Sequence, residues 1–543
     1  MQKIYKYILP AVFTVCAGLI SAQNNEVVSV IKKEIDRNMA NLKIDKLKPP
    51  FFISYNMVDS KIMTVSATLG SVIYSNGYRL RLGAPALMVG DYNRNSSNFG
   101  NSAGNIRNVS LENEGVPVSV WFELDNVYKR AAENFEAKLA AIAQQNLEKE
   151  DLELPDFESV PSAALILEPA KVNQDRAYWE NYAKKTSEVF KKYSEILSSS
   201  VEITVRDAMV YTCNTENTEI VMPQPFYQIR IQASGRAGDG EQISRDLYIE
   251  HPTFEQIPDL KKAVDTCEFV AKQLVGTLNA PMLKEAYSGP VLFEGQAAPE
   301  VVQMLVANLV AARKPVTGNG GNNLEMMKDK KLTARILSLI SLSGTETYNG
   351  KKLDGYYPID IEGVAPDKEL TLIENGVLKN MLNGRTPTRK FQHSNGHRRF
   401  SERDVRSSVK PGNIRLTSKV VSSNMKQKLI DAAKEEDLDY AYIVRGYRGL
   451  TEPNSVNVYP YDVYRVYVSD GREELVRGAI LQDFNIKSFK RVVGTSEREI
   501  LYNTYAFGNF VTYVVPDAIL FEELEISKNS NITLKTPFIV PQP

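Results

Sequence analysis

Gly289-Pro290-Val291-Leu292-Phe293-Glu294 is a short apolar run entered through Gly-Pro. Pro290 to Phe293 reads as a buried strand, and Glu300 to Ala312 after it reads as a helix. Downstream, strand signals dominate. Leu370 to Glu374, then Asn375-Gly376, then Val377 to Leu382 is a hairpin with the turn dipeptide that favours positive φ at both centres. Tyr440 to Tyr447, Val456 to Val468, Leu475 to Leu481 and Gly508 to Ile526 are further strands, and Met425 to Glu435 is a helix. Gly318 to Asn322 is a glycine- and asparagine-rich loop without the Lys and Ser/Thr of a phosphate cradle.

Upstream of Gly289 the pattern is mixed. Val27, Ile31, Ile35, Met39 and Leu42 form one apolar stripe and predict a helix over Asn24 to Leu42. Phe51 to Tyr55 and Ile62 to Tyr74 predict strands, with a hairpin turn at Asn76-Gly77 and a return along Tyr78 to Val89. Asn93 to Asn105 predicts an exposed loop. Helices are expected over Leu124 to Leu147, Val172 to Leu197 and Phe254 to Glu285. Strands are expected over Val201 to Thr212 and for Phe226 to Ser234 paired with Ser244 to Glu250. The fold class is therefore α+β. An N-terminal α+β domain (23–288) precedes a strand-rich C-terminal domain (289–543) with a large mixed or antiparallel sheet.

The chain has 543 residues, too many for one ordinary core. Lys+Arg number 65 and Asp+Glu 66, a net charge of -1, which argues against a basic nucleic-acid binder. Hydrophobic residues at 43% place the chain among globular proteins rather than disordered ones. Residues 1–22 read as a secretory signal: Lys3 and Lys6, an apolar stretch from Ile8 to Ile20, then Ser21-Ala22. Export to the periplasm or the exterior is expected, with no integral membrane segment after cleavage. Cleavage leaves Cys213 and Cys267, which either form a disulfide or stay as two buried thiols.

The ordered set Gly289–Glu294, Asp360-Ile361-Glu362-Gly363-Val364, Leu372–Leu378, Asn395-Gly396 before Arg398-Arg399, Pro411-Gly412-Asn413 and Pro516–Leu520 resembles the TldD/PmbA family of metallopeptidases. The resemblance covers most of residues 289–526. It implies an HExxxH helix motif and a distant Cys that together hold zinc, with the Glu as general base. Here the corresponding residues are Phe293, Glu294, Gly295, Gln296, Ala297 and Ala298, and no Cys follows Cys267. Only Glu294 matches, as a relic of the catalytic motif. Phenylalanine and alanine have no lone pair for a metal, so no metal ligands and no cofactor are expected. The resemblance is closest in character to the PmbA/TldE branch, which lacks the zinc motif and pairs with a zinc-bearing subunit. It implies a partner or peptide-binding role in proteolysis, with an unstructured peptide or a zinc-bearing paralogue as partner, in a dimer.

Two other readings stand beside it. One is a metallopeptidase with a rewired site using His393, His397 and Glu402, although Ser394-Asn395-Gly396 between the imidazoles favours a turn and nearby arginines would repel a dication. The other is a non-enzymatic scaffold of the cell envelope. The run from Arg385 to Arg406 is rich in arginine, whose forked guanidinium matches carboxylates. Arg389, Arg398 and Arg399 are the candidate peptide-binding residues, against the alternative of a basic loop paired with local acids.

Overall fold

The computed structural model describes residues 26–45, 47–99, 105–145, 148–313, 316, 323–401, 404–447, 458–530 and 532. The signal-like segment 1–22, the loop Gly318–Asn322, Glu402 and Arg403 lie outside the described residues. No helix among those described is long and apolar enough to cross a membrane.

The first half is a mainly antiparallel sheet with helices on one face. Helix α1 (26–41) leads to strand β1 (Pro50–Thr68), which folds back as β2 (Ser71–Val89). Helix α2 (Val116–Gln144), the short α3 (Lys149–Glu153) and α4 (Arg176–Ser187) follow. Then come β3 (Ile196–Asn214), β4 (Glu219–Pro223), β5 (Phe226–Arg236), β6 (Gln242–His251) and α5 (Leu260–Asn279). Strand β1 pairs with β2 on one side and β3 on the other, and β3 pairs with β4 and β5.

Side chains alternate across β1, and its odd-numbered positions face the helices at both ends of the strand, with half-buried Asp59 and exposed Lys61 between them. Ile53, Tyr55 and Met57 pack with Val27 and Ile31 of α1 and Val120 and Leu124 of α2. Met63, Val65 and Ala67 pack further along with Trp179 of α4 and Leu274 of α5. Val58, Ala208 and Val210 face the other way, against Ile361 and Val405 of the second half. Cys213 and Cys267 are free, buried in these two separate clusters, and burial pushes both thiols up to about 12.

Several expected boundaries move. The hairpin does not turn at Asn76-Gly77, which lies mid-strand opposite Thr64 and Met63. The turn is Leu69-Gly70, with φ of 46° and 75°. Positive φ at both central residues is the geometry of the tightest hairpin turns. Extending β1 to Thr68 keeps Val65 and Ala67 on the buried face and in register with β3. The helix expected over Val172–Leu197 is only Arg176–Ser187, because Asp175 caps it by accepting from Ala177 and Tyr178 N–H, and from Ile196 the chain is already strand. The helix expected over Phe254–Glu285 is Leu260–Asn279, with Asp259 accepting from Lys262 N–H at its start.

The second half encloses a helix between two sheets. Strand β7 (Tyr287–Glu294) leads to α6 (Ala297–Ala307), earlier and shorter than the expected Glu300–Ala312, and all of its residues are buried. A helix that is apolar on all sides belongs inside a core. One sheet contains β8 (Leu337–Ser341), β9 (Leu370–Glu374), β10 (Asn413–Ser418), and later β13 (Glu499–Ala506) and β14 (Asn509–Pro516). The other contains β7, β11 (Tyr440–Tyr447), β12 (Pro460–Tyr467) and β15 (Ala518–Lys528). Both sheets are mixed: β10 runs parallel to β14, and β7 parallel to β11. Helix α7 (Met425–Glu435) covers the outer face of the second sheet. The hairpin at Asn375-Gly376 has φ of 49° and 79°, as expected.

Candidate functional site

Strand β7 ends where the resemblance places a metal motif. Phe293 is fully buried, with its ring 5.6 Å from Phe484 and 5.3 Å from Phe521. Phe489 completes this aromatic cluster. Ala298 is fully buried in the same core. Glu294 points outward instead. Its carboxylate accepts from Arg445 Nε at 2.8 Å, and Arg445 also donates to Glu473 at 2.7 Å. Lys426 Nζ lies 2.8 Å from the same Glu473, so Glu294 closes a surface chain of alternating charges.

A different place has the form of a binding site. A cleft of about 180 Å³ opens between the two halves of the chain. Its first wall is the turn from β4 to β5, with Pro223, Pro225 and Phe226. Its second wall is the loop Asp354–Ile361, and the third is the β13–β14 hairpin with Tyr505 and Phe510. Phe226 binds the walls together, its ring 4.8 Å from Tyr505 and 5.8 Å from Phe510. The lining is mostly apolar, with few polar groups, as ligand clefts generally are.

The charged groups of the cleft differ in how they are satisfied. Asp354 accepts from Gln256 Nε2 at 2.7 Å and sits 3.0 Å from His251 Nδ1, so both of its oxygens are engaged. Asp360 accepts from the N–H groups of Glu362, Val364 and Arg398, all at 2.9 Å. Burial, aided by the nearby Glu362, pushes the Asp360 carboxyl up. Arg399 is the cation. It donates to the Pro411 carbonyl at 2.8 Å and stacks 4.2 Å from the centre of the Tyr357 ring. No carboxylate among the described residues forms an ion pair with it, and burial pulls its pKa down.

Residues 286–528 match the sequence profile of the PmbA/TldA metallopeptidase C-terminal domain. This domain is of the TldD/PmbA family. Three solved structures share the fold over nearly the whole chain. TldE from Thermococcus kodakarensis is 14% identical with a TM-score of 0.55, over 88% of this chain and 97% of that one. A candidate modulator of DNA gyrase from Thermotoga maritima is 14% identical with a TM-score of 0.57, over 91% and 99%. A candidate modulator of DNA gyrase from Bacteroides thetaiotaomicron is 11% identical with a TM-score of 0.58, over 93% and 99%. No curated protein sequence matches.

Zinc, which the resemblance to TldD/PmbA metallopeptidases implies, does not fit the residues at the motif positions. Phe293 and Ala298 carry no donor atom, and the space beside Phe293 is filled by three aromatic rings. Among the described residues no group of three or more His, Cys, Asp and Glu side chains could hold a metal ion. Of the rewired set, Glu402 lies outside the described residues, and the two histidines hold other partners. His393 is exposed and hydrogen-bonds to Glu158 at 2.9 Å. His397 is buried, with Nε2 3.1 Å from the hydroxyls of Ser341 and Ser343 and Nδ1 2.8 Å from the Asn395 carbonyl. Burial pushes His397 down to about 3, so it stays neutral.

The candidate arginines divide as well. Arg389 lies on the acidic helix α3, 2.6 Å from Asp151 and 2.6 Å from Glu148. Arg398 donates to Ser407 Oγ at 2.8 Å and lies 3.8 Å from Glu362. Arg399 alone of the three lines the cleft. Asp360 and Ile361, quoted in the sequence for the family resemblance, line the cleft as well; the other cleft residues were not singled out there.

Proposed function

We propose that this chain is an exported TldD/PmbA-family protein that binds extended peptide without hydrolysing it through zinc of its own. In this reading it serves as a partner subunit in proteolysis, in a dimer with a zinc-bearing relative. The observation that carries the proposal is Phe293, locked into an aromatic core at the position where the family's resemblance calls for an imidazole. Glu294 supports it, being held by Arg445 rather than aimed at a cavity. A general base acts on a proton held beside a bound substrate, and Glu294 lies outside the cleft, on the surface and paired with Arg445.

The test is metal analysis of the pure protein together with hydrolysis of a casein substrate, with and without a chelator. The expected result is substoichiometric zinc and no chelator-sensitive cleavage. One zinc per chain with chelator-sensitive cleavage would overturn the reading. Native mass measurement of the complex isolated from its own cell envelope tests the partner and the location.

A further inference from the structure

Three polar groups meet at the inter-domain cleft with unmet bonding capacity. Arg399 offers five N–H donors, of which, among the described residues, the Pro411 carbonyl takes one. Asn509 is only 2% exposed and its Nδ2 has no hydrogen-bond partner among the described residues. Gln224 Oε1 is likewise buried and without a partner. Asn509 stands at the start of β14 and Gln224 in the turn after β4, so the two amides come from opposite halves of the chain. Buried polar groups in folded proteins are almost always hydrogen-bonded. Orphans of this kind gathered around one cavity point to a ligand that completes them.

The pattern specifies that ligand's chemistry. A guanidinium with no ion pair among the described residues calls for an anion, since Asp354 and Asp360 of the same cleft are held by other donors, and its fork matches a carboxylate. An orphaned amide donor calls for an oxygen, and an orphaned amide acceptor calls for an N–H. A carboxylate, a carbonyl and an N–H within one or two residues of each other is the end of a polypeptide. The walls of proline and aromatic rings suit an apolar last side chain. The volume of about 180 Å³ is below the roughly 300–1,000 Å³ of clefts for drug-sized ligands, and so fits a chain end rather than a whole ligand.

We propose that the cleft receives the C-terminal carboxylate of an extended peptide, with Arg399 bonded to the carboxylate and Asn509 and Gln224 to the last peptide units. This rests on the peptide-binding reading and adds to it the end that is recognised and where it sits. Glu294 and the family motif take no part in it, since neither lines the cleft.

The experiment is calorimetric titration of the mature full-length protein with N-acetyl-Ala-Ala-Pro-Phe as the free acid and as the C-terminal amide. The acid should bind at least about tenfold more tightly than the amide. Arg399→Gln should erase that preference, and Asn509→Ala should weaken the acid while thermal melts show both variants folded. Equal affinity for acid and amide, or a preference that survives in both variants, overturns the proposal. If Arg399→Gln fails to fold, the acid–amide comparison in the wild type and Asn509→Ala decide it. A twenty-residue unstructured peptide amide separates the two readings. If it binds while the short acid does not, the carboxylate site is wrong and peptide binding stands; if neither binds, both fail.

Discussion

Arg385 grips Glu216 with two parallel bonds, NH1 to Oε2 at 2.6 Å and NH2 to Oε1 at 2.7 Å, joining the second half of the chain to the turn between β3 and β4. The guanidinium is buried and stacks 4.0 Å from the centre of the Phe157 ring, with Nε donating to the Glu158 carbonyl. Tyr92 adds a hydroxyl to Glu216 Oε1 at 2.6 Å. Removing one partner of a buried pair leaves the other charge without compensation. Glu216→Ala should therefore cost about 3–5 kcal/mol. Urea unfolding measures it, and a loss under about 1 kcal/mol would show that the pair is screened like a surface one.

Glu123 of α2 is buried, with the Tyr55 hydroxyl 3.4 Å away as its donor. Burial raises its carboxyl to about 8. The folded pKa lies above the unfolded one, so the protonated form favours the native state. That stability is fully present below about pH 4.3, the unfolded value, and is lost as pH rises toward 8. The loss is on the order of 5 kcal/mol by linkage. Glu123→Gln should match the wild type at pH 5 and exceed it at pH 9. Unfolding curves at the two pH values check this, and parallel pH profiles for the two proteins would refute it.

Phe293 and Glu294 are neighbours with opposite fates. Phe293→Ala opens a cavity inside the aromatic cluster and should cost about 3–5 kcal/mol. Glu294→Ala removes only a half-exposed ion pair with Arg445 and should change stability by less than about 1 kcal/mol. Glu294→Ala should also leave peptide binding untouched. A large loss of binding in that variant would return residue 294 to the functional site.

Leu69 holds a φ of 46° in the β1–β2 turn. A leucine there is strained, whereas asparagine tolerates this region of backbone space. Leu69→Asn should stabilise the protein by about 0.5–1 kcal/mol. A thermal melt that falls instead would mean that the partly exposed Leu69 side chain contributes packing that outweighs the strain.

The hairpin at Leu69-Gly70 also shows how far local signals reach. Asn76-Gly77 is the stronger dipeptide for a turn, yet it is spent inside β2. The pairing of β1 with β3 joins residues far apart in the chain, from Ser54 with Asn214 to Ala67 with Val201, and burying Val65 and Ala67 along that ladder outweighs the preference of two residues. The same holds at Arg389 and Arg399. Both sit in one basic stretch, but α3 draws the first into ion pairs while the fold leaves the second facing the cleft.

The order of residues by itself determined the strand and helix character of most segments, the hairpin at Asn375-Gly376, the helix Met425–Glu435 and the family to which residues 286–528 belong. It also determined that no imidazole or thiolate stands at positions 293 and 298, because donor atoms are a property of residue type alone. Only the tertiary structure decided that Gln224, Arg399 and Asn509 share one cleft. The three come from segments far apart in the chain, so their meeting depends on how the two halves of the chain pack, and no periodicity along the sequence carries that information.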